Sequence, residues 1–103
     1  MSDYVLTPLA QADIFDIWSA ITEDDDQAAD RVEQAIFDAC AFLAAGPGRG
    51  HTRPDLTVLP LRFWTLTRYP SYAIVYRSET EPLQIIAVLH GRRNMRRLLE
   101  GRQ

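Results

Sequence analysis

Tyr72-Ala73-Ile74-Val75-Tyr76-Arg77 and Leu83-Gln84-Ile85-Ile86-Ala87-Val88-Leu89-His90 decide the fold. Both are runs of β-branched, aromatic and aliphatic residues, and both are bounded by turn formers. The segment Ser78 to Pro82 joins them, and a connection that short favours antiparallel neighbours. Leu61 to Thr67 reads as a third strand, which reaches Ser71 to Arg77 through Arg68-Tyr69-Pro70. Three strands in quick succession predict a small antiparallel sheet. The apolar run from Leu83 to Leu89 predicts a strand covered on both faces. It delivers His90-Gly91-Arg92-Arg93 to its own end, a rigid platform on which binding or catalytic groups are often placed.

Upstream the period changes from two to three and four. Tyr4-Val5-Leu6 is a short β-like segment, and Thr7-Pro8 reads as an N-cap followed by proline at the first helical position. Ile14, Ile17, Trp18 and Ile21 then fall at i, i+3, i+4 and i+7, the apolar stripe of an amphipathic helix whose other face carries Gln11, Asp13 and Asp16. Glu23-Asp24-Asp25-Asp26 separates this helix from a second and suits the positive end of that helix. Ala28, Ala29, Val32, Ala35, Ile36, Ala39 and Leu43 give the second helix a broad apolar face. Phe37 and Phe42 fall partly off it, at the core edge or facing a partner. Gly46 and Pro47 end the helix, and residues 46–60 read as an irregular crossover to the sheet. After the last strand, Asn94 suits the cap of a short C-terminal helix with Met95, Leu98 and Leu99 as its stripe. The predicted class is α+β. An N-terminal strand and an α-helical hairpin pack on a small antiparallel sheet in the order β-α-α-β-β-β, with a short C-terminal helix, as one domain over residues 1–103.

The formal net charge of −3 conceals a division. Residues 1–45 carry ten acids and Arg31 alone among bases, and residues 46–103 carry four acids and ten arginines, so the halves stand at −9 and +6. Every base is arginine, whose planar fork suits carboxylates and phosphates. The acidic half is poorly suited to lie along nucleic acid, whereas the basic half suits an anionic partner. Cys40 is the only cysteine and reads as a small core residue, which excludes an internal disulfide. There is no apolar run of transmembrane length and no secretion-signal pattern, so the expected setting is cytoplasmic.

No metal centre or cofactor is expected. His51 stands without a ligand cluster, and the glycines at 46, 48 and 50 lack the strand–loop–helix context of a phosphate loop. For general acid–base chemistry, His90 is one proton-transfer candidate, with Arg62 or Arg92 as a phosphate-binding cation. A second proton-transfer group does not stand out. Tyr69, Tyr72 and Tyr76 read as core or cross-strand residues. The other reading of the corner is a structural turn beside an arginine-rich recognition surface formed by Arg62, Arg68, Arg77 and His90 with Arg92, Arg93, Arg96 and Arg97.

Taken in order, these pieces resemble a ParE-type toxin of the RelE/ParE toxin–antitoxin superfamily. The likeness rests on Tyr4-Val5-Leu6-Thr7 with Ala10, Ala12, Asp13 and Ile14, the helical hairpin closing at Leu43 and Gly46-Pro47, Leu61-Arg62, Tyr72 to Arg77, and Val88-Leu89-His90-Gly91-Arg92-Arg93. It implies a toxin neutralised by a ParD-like antitoxin in a hetero-oligomer. The ParE branch implies a protein target such as DNA gyrase and no enzymatic activity. The RelE branch implies ribosome-dependent mRNA cleavage, with His90, Arg62 and Arg92 as the catalytic set. RelE-type nucleases are strongly basic and usually place a tyrosine shortly after the final arginine. This chain has no lysine and a pI near 5.2, and it continues Asn94-Met95-Arg96-Arg97. That favours the ParE branch, with no direct nucleic-acid binding. The implied antitoxin seat is a groove between the helical hairpin and the sheet, with Ile14, Trp18, Phe37 and Phe42 as its apolar contacts and the arginines pairing acidic side chains of the antitoxin.

Overall fold

In the computed structural model, residues 3–91 are described. Strand β1 (Tyr4–Leu6) leads into helices α1 (Pro8–Thr22) and α2 (Asp26–Ala45). A single 3-10 turn at Pro47–Arg49 then precedes β2 (His51–Thr52), β3 (Leu61–Thr65), β4 (Tyr72–Arg77) and β5 (Leu83–His90). The caps are where the sequence places them. Thr7 Oγ1 accepts from the Ala10 amide at 3.2 Å, with Pro8 in the first turn of α1. Asp25 Oδ1 accepts from the amides of Gln27 and Ala28 at 3.0 and 3.1 Å. Each such cap stabilises its helix by about 1 kcal/mol.

The strands run β1-β5-β4-β3-β2 across one sheet. The β2–β3, β3–β4 and β4–β5 pairs are antiparallel, as the short connections require. Strand β1 joins β5 in parallel, with Tyr4 opposite Leu83 and Leu6 opposite Ile85, so the sheet is mixed rather than wholly antiparallel. The helical hairpin lies between β1 and the later strands, and this crossover lets the first strand return alongside the last in the same direction. Strand β2, two residues long inside the predicted irregular stretch, adds the other edge. The C-terminal helix expected after Asn94 lies outside the described residues.

Position in the sheet explains the apolar run of β5, which is flanked on both sides and buried on both faces. Toward the helices, Ile74, Tyr76, Leu83, Ile85 and Val88 pack with Ala10, Ile14, Val32, Ile36, Cys40 and Leu43. On the opposite face Leu61, Phe63, Val75, Ala87 and Leu89 form a second cluster against Leu56 and Leu59 of the crossover. The register of β5 shifts between Val75↔Ala87 and Tyr76↔Ile85, making Ile86 the extra residue of a bulge. Helix α1 meets that bulge with polar groups. Thr7 Oγ1 donates to the Ile86 carbonyl at 3.2 Å, and the Val88 amide donates to Asp13 Oδ2 at 3.0 Å. Asp13, which periodicity assigns to the polar face, therefore holds α1 to the sheet.

Cys40 is fully buried, and burial pushes its thiol up from an ordinary 9.0 to about 12. Tyr4 and Tyr76 are also raised, each chiefly by burial. The unfolded chain would lose these protons first. The thiol's contribution is thus complete below pH 9 and declines as pH rises from 9 towards 12. We expect urea unfolding to report a loss of about 2 kcal/mol between about pH 8 and about pH 10.5. Cys40→Ala should remove most of that slope, whereas an unchanged slope would assign the loss to other groups. At neutral pH the thiol should react with alkylating reagents only on unfolding.

Candidate functional site

Among the described residues, a surface suited to binding lies between the two helices, on the side of β1. Gln11, Ile14, Phe15 and Trp18 share one stripe of α1, since residues three and four apart on a helix are neighbours. Glu33 and Phe37 face them from α2, and Leu6 of β1 closes the end. Together they line an open groove of about 330 Å³. Ile14 is its buried floor. Phe15 leaves 56% of its surface exposed and stacks on Trp18 with ring centroids 6.3 Å apart. Across the groove, Trp18 Nε1 donates to Asp30 Oδ1 at 3.0 Å and fixes the indole between the helices. The Gln11 side-chain amide donates to the Leu6 carbonyl at 3.4 Å, closing the β1 end.

Ile14, Trp18 and Phe37 are brought together, in a groove between the two helices rather than between the hairpin and the sheet. Phe42 is not with them. Five residues beyond Phe37 at about 100° per residue, it lies about 140° round α2. There it packs on Trp64 of β3 at 5.3 Å, with the Arg49 guanidinium 4.0 Å over its ring. Phe15 was missed because the core stripe of α1 is complete without it. Its signal was an aromatic pair at i and i+3 beside that stripe. Leu6, Gln11 and Glu33 carried no separate signal.

Among the described residues the arginines do not gather into one patch. Arg49 Nη1 donates to the Phe42 carbonyl at 2.6 Å, ending α2. Arg53 makes a bidentate pair with Asp55 at 2.9 and 2.8 Å, an exposed contact of little energetic weight. Arg62, opposite Tyr76 on the helix side of β3, donates from Nη1 to the Gly50 carbonyl at 2.8 Å. Arg77 follows Tyr76 on β4, so it points to the other face. Arg68 is exposed in the turn between β3 and β4. Pleat and turn therefore separate three arginines that look equivalent in the sequence. Arg92, Arg93, Arg96 and Arg97 lie outside the described residues.

His90 is at the end of β5, opposite Tyr72 at the start of β4, and the two rings meet edge to face at 5.4 Å. The Gly91 amide donates to the Ser71 carbonyl at 2.6 Å and closes the corner. Arg62 is remote from this corner. Four residue steps along β4 lead from Tyr72 to Tyr76, and two strand spacings separate β3 from β5. The backbones of His90 and Arg62 are therefore about 16 Å apart.

Comparison with known proteins agrees with this architecture. Residues 4–95 match the family model of the ParE toxin of type II toxin–antitoxin systems, parDE. Among solved structures the chain resembles one described as a chromosomal ParDE toxin–antitoxin system from P. aeruginosa. The TM-score is 0.68 at 22% identity, covering 84% of this chain and 92% of that one. Comparison with curated protein sequences gives no match. A strand, a helical hairpin and an antiparallel run of strands ending in β5, matched over residues 4–95, establish that this chain belongs to the ParE toxin family of type II toxin–antitoxin systems.

Proposed function

We propose that this chain is a toxin that works by binding a protein target in the cytoplasm, with DNA gyrase as that target. A ParD-like antitoxin neutralises it in a hetero-oligomer by laying an amphipathic segment into the α1–α2 groove. The groove carries this reading. It presents a stacked, exposed aromatic pair over a buried aliphatic floor, and apolar surface of that kind on a small domain marks an interface. Interfaces concentrate their binding energy in such aromatic anchors. Gyrase as the target comes from the family resemblance.

The spacing at the sheet end sets Arg62 apart from His90, which weakens that pairing as a site of RNA cleavage. Acid–base cleavage needs proton donors, acceptors and phosphate-binding cations around one scissile bond, within hydrogen-bond reach of it. His90 and Arg62 stand about 16 Å apart, and Arg62 is turned to the Gly50 carbonyl. The experiment is a paired assay on the purified chain. Gyrase supercoiling should be inhibited, and the inhibition should be relieved by the product of the adjacent reading frame. A translation extract should show no mRNA cleavage. Cleavage that disappears with His90→Ala would replace this reading with the nuclease one.

A further inference from the structure

Among the described residues the charge division of the sequence becomes a division in space. On α2, Asp26, Asp30 and Glu33 precede Phe37 at i, i+4, i+7 and i+11, so all four share one stripe of the helix, and its Glu33 and Phe37 line the groove. Glu33 lines the groove, and Asp30 bonds the Trp18 indole within it. Arg31, the only base among residues 1–45, lies about 140° round the helix from Asp26. Among the described residues the other arginines belong to the far side of the sheet or its ends. Arg62 is on β3, about 14 Å across the sheet from β1, and Arg49 and Arg53 flank β2 beyond it. An occupant of the groove thus meets carboxylates beside the aromatic pair and none of these arginines.

From this we infer that the α1–α2 groove takes an apolar helical segment flanked by lysine or arginine, whose cations face the Asp26–Asp30–Glu33 stripe. The inference rests on the proposed reading that a partner protein fills the groove, and it gives that partner a chemistry. It is the reverse of the acidic segment that the arginine-rich half suggests. The stripe from Asp26 to Phe37 runs about 16 Å, three turns of helix, so a segment of three to four turns matches its length. The apolar ridge supplies affinity by covering Phe15, Trp18 and Ile14. The carboxylates select the sign of the flank and disfavour an acidic one by like-charge repulsion.

The test uses the full chain and two synthetic amphipathic peptides of about 16 residues. Both carry the same leucine ridge, one with flanking lysines and one with flanking glutamates. Calorimetry at low salt should show the lysine peptide binding about tenfold or more tightly, the scale that three exposed charge pairs supply together. The gap should close near 1 M salt, where charges are screened within about 3 Å. Glu33→Gln should narrow it, and Glu33→Lys should narrow it further. Equal or stronger binding of the glutamate peptide overturns the inference, and so does binding of neither. The wider reading is judged separately with the adjacent frame's product. If that product binds wild type and Glu33→Lys equally, the charge assignment falls and the toxin reading stands. If it binds neither, both fall.

Discussion

Replacing Phe15 by aspartate is expected to weaken the complex with the antitoxin by about a hundredfold or more while leaving the fold intact. Phe15 is more than half exposed and touches Trp18 rather than the core, so its removal should change stability by less than about 0.5 kcal/mol. Its effect on binding is different in kind. An aromatic anchor at the centre of an interface contributes about 2 kcal/mol or more, roughly thirtyfold in affinity. Aspartate also places a charge in the apolar contact, beside a wall already carrying Glu33 and Asp30. Phe15→Ala should show the thirtyfold loss alone. Trp18 is a less clean probe, because truncating it also releases Asp30 from its indole bond. Trp18→Phe keeps an aromatic ring beside Phe15 while removing that bond and part of the indole's apolar area. Titration of the antitoxin by calorimetry, with urea unfolding of each variant, separates the two effects. If Phe15→Asp binds within a few fold of wild type, the groove is not the antitoxin's seat.

The parts of this molecule that local chemistry controls were legible in the sequence. Thr7-Pro8 caps the first helix as predicted, the acidic run expected at the start of the second supplies its cap from Asp25, and β5 begins at Leu83 and ends at His90 as its apolar run indicates. Connections shorter than a helix made the β3–β4–β5 meander legible as well. The parallel docking of β1 on β5 was not. It joins residues 79 positions apart through a strand of three residues, too short to display a period. Asp13 looked solvated because the bulge that frees the Val88 amide is a property of the β4–β5 register and not of α1. The groove was half legible. Ile14, Trp18 and Phe37 followed from helical spacing, and so could the exclusion of Phe42, which the same 100° step places on another side. Charge was the least readable. Composition counts arginines but does not say that one will cap a helix, one pair with a neighbouring aspartate, and one bond a buried loop carbonyl.

That loop carbonyl belongs to Gly50, where the second large effect is expected. Tyr76 is fully buried under the end of α2. Its hydroxyl accepts from the Gly50 amide at 2.8 Å and donates to the Pro47 carbonyl at 2.7 Å, and Arg62 covers the Gly50 carbonyl. Two side chains and a turn thus join the second helix to the sheet where the chain changes from one to the other. Tyr76→Phe keeps the ring and leaves a buried amide and carbonyl without their partner, a cost of about 1–3 kcal/mol. In a domain of this size that lowers Tm by about 4–8 °C for each kcal/mol. Gly50→Ala should cost more. A methyl group there would lie 2.5 Å from the Tyr76 hydroxyl and 2.9 Å from the Phe63 carbonyl, and the second neighbour is strand backbone that cannot swing aside. Combining the two should destabilise by less than the sum, because removing the hydroxyl relieves the closest clash and leaves those with the ring carbon and the Phe63 carbonyl. Strict additivity in urea would mean that the two residues do not share this contact. The groove lies on the other side of α2 from this junction. Latch variants should therefore lower stability while the folded fraction keeps its antitoxin affinity, the opposite of what Phe15→Asp does.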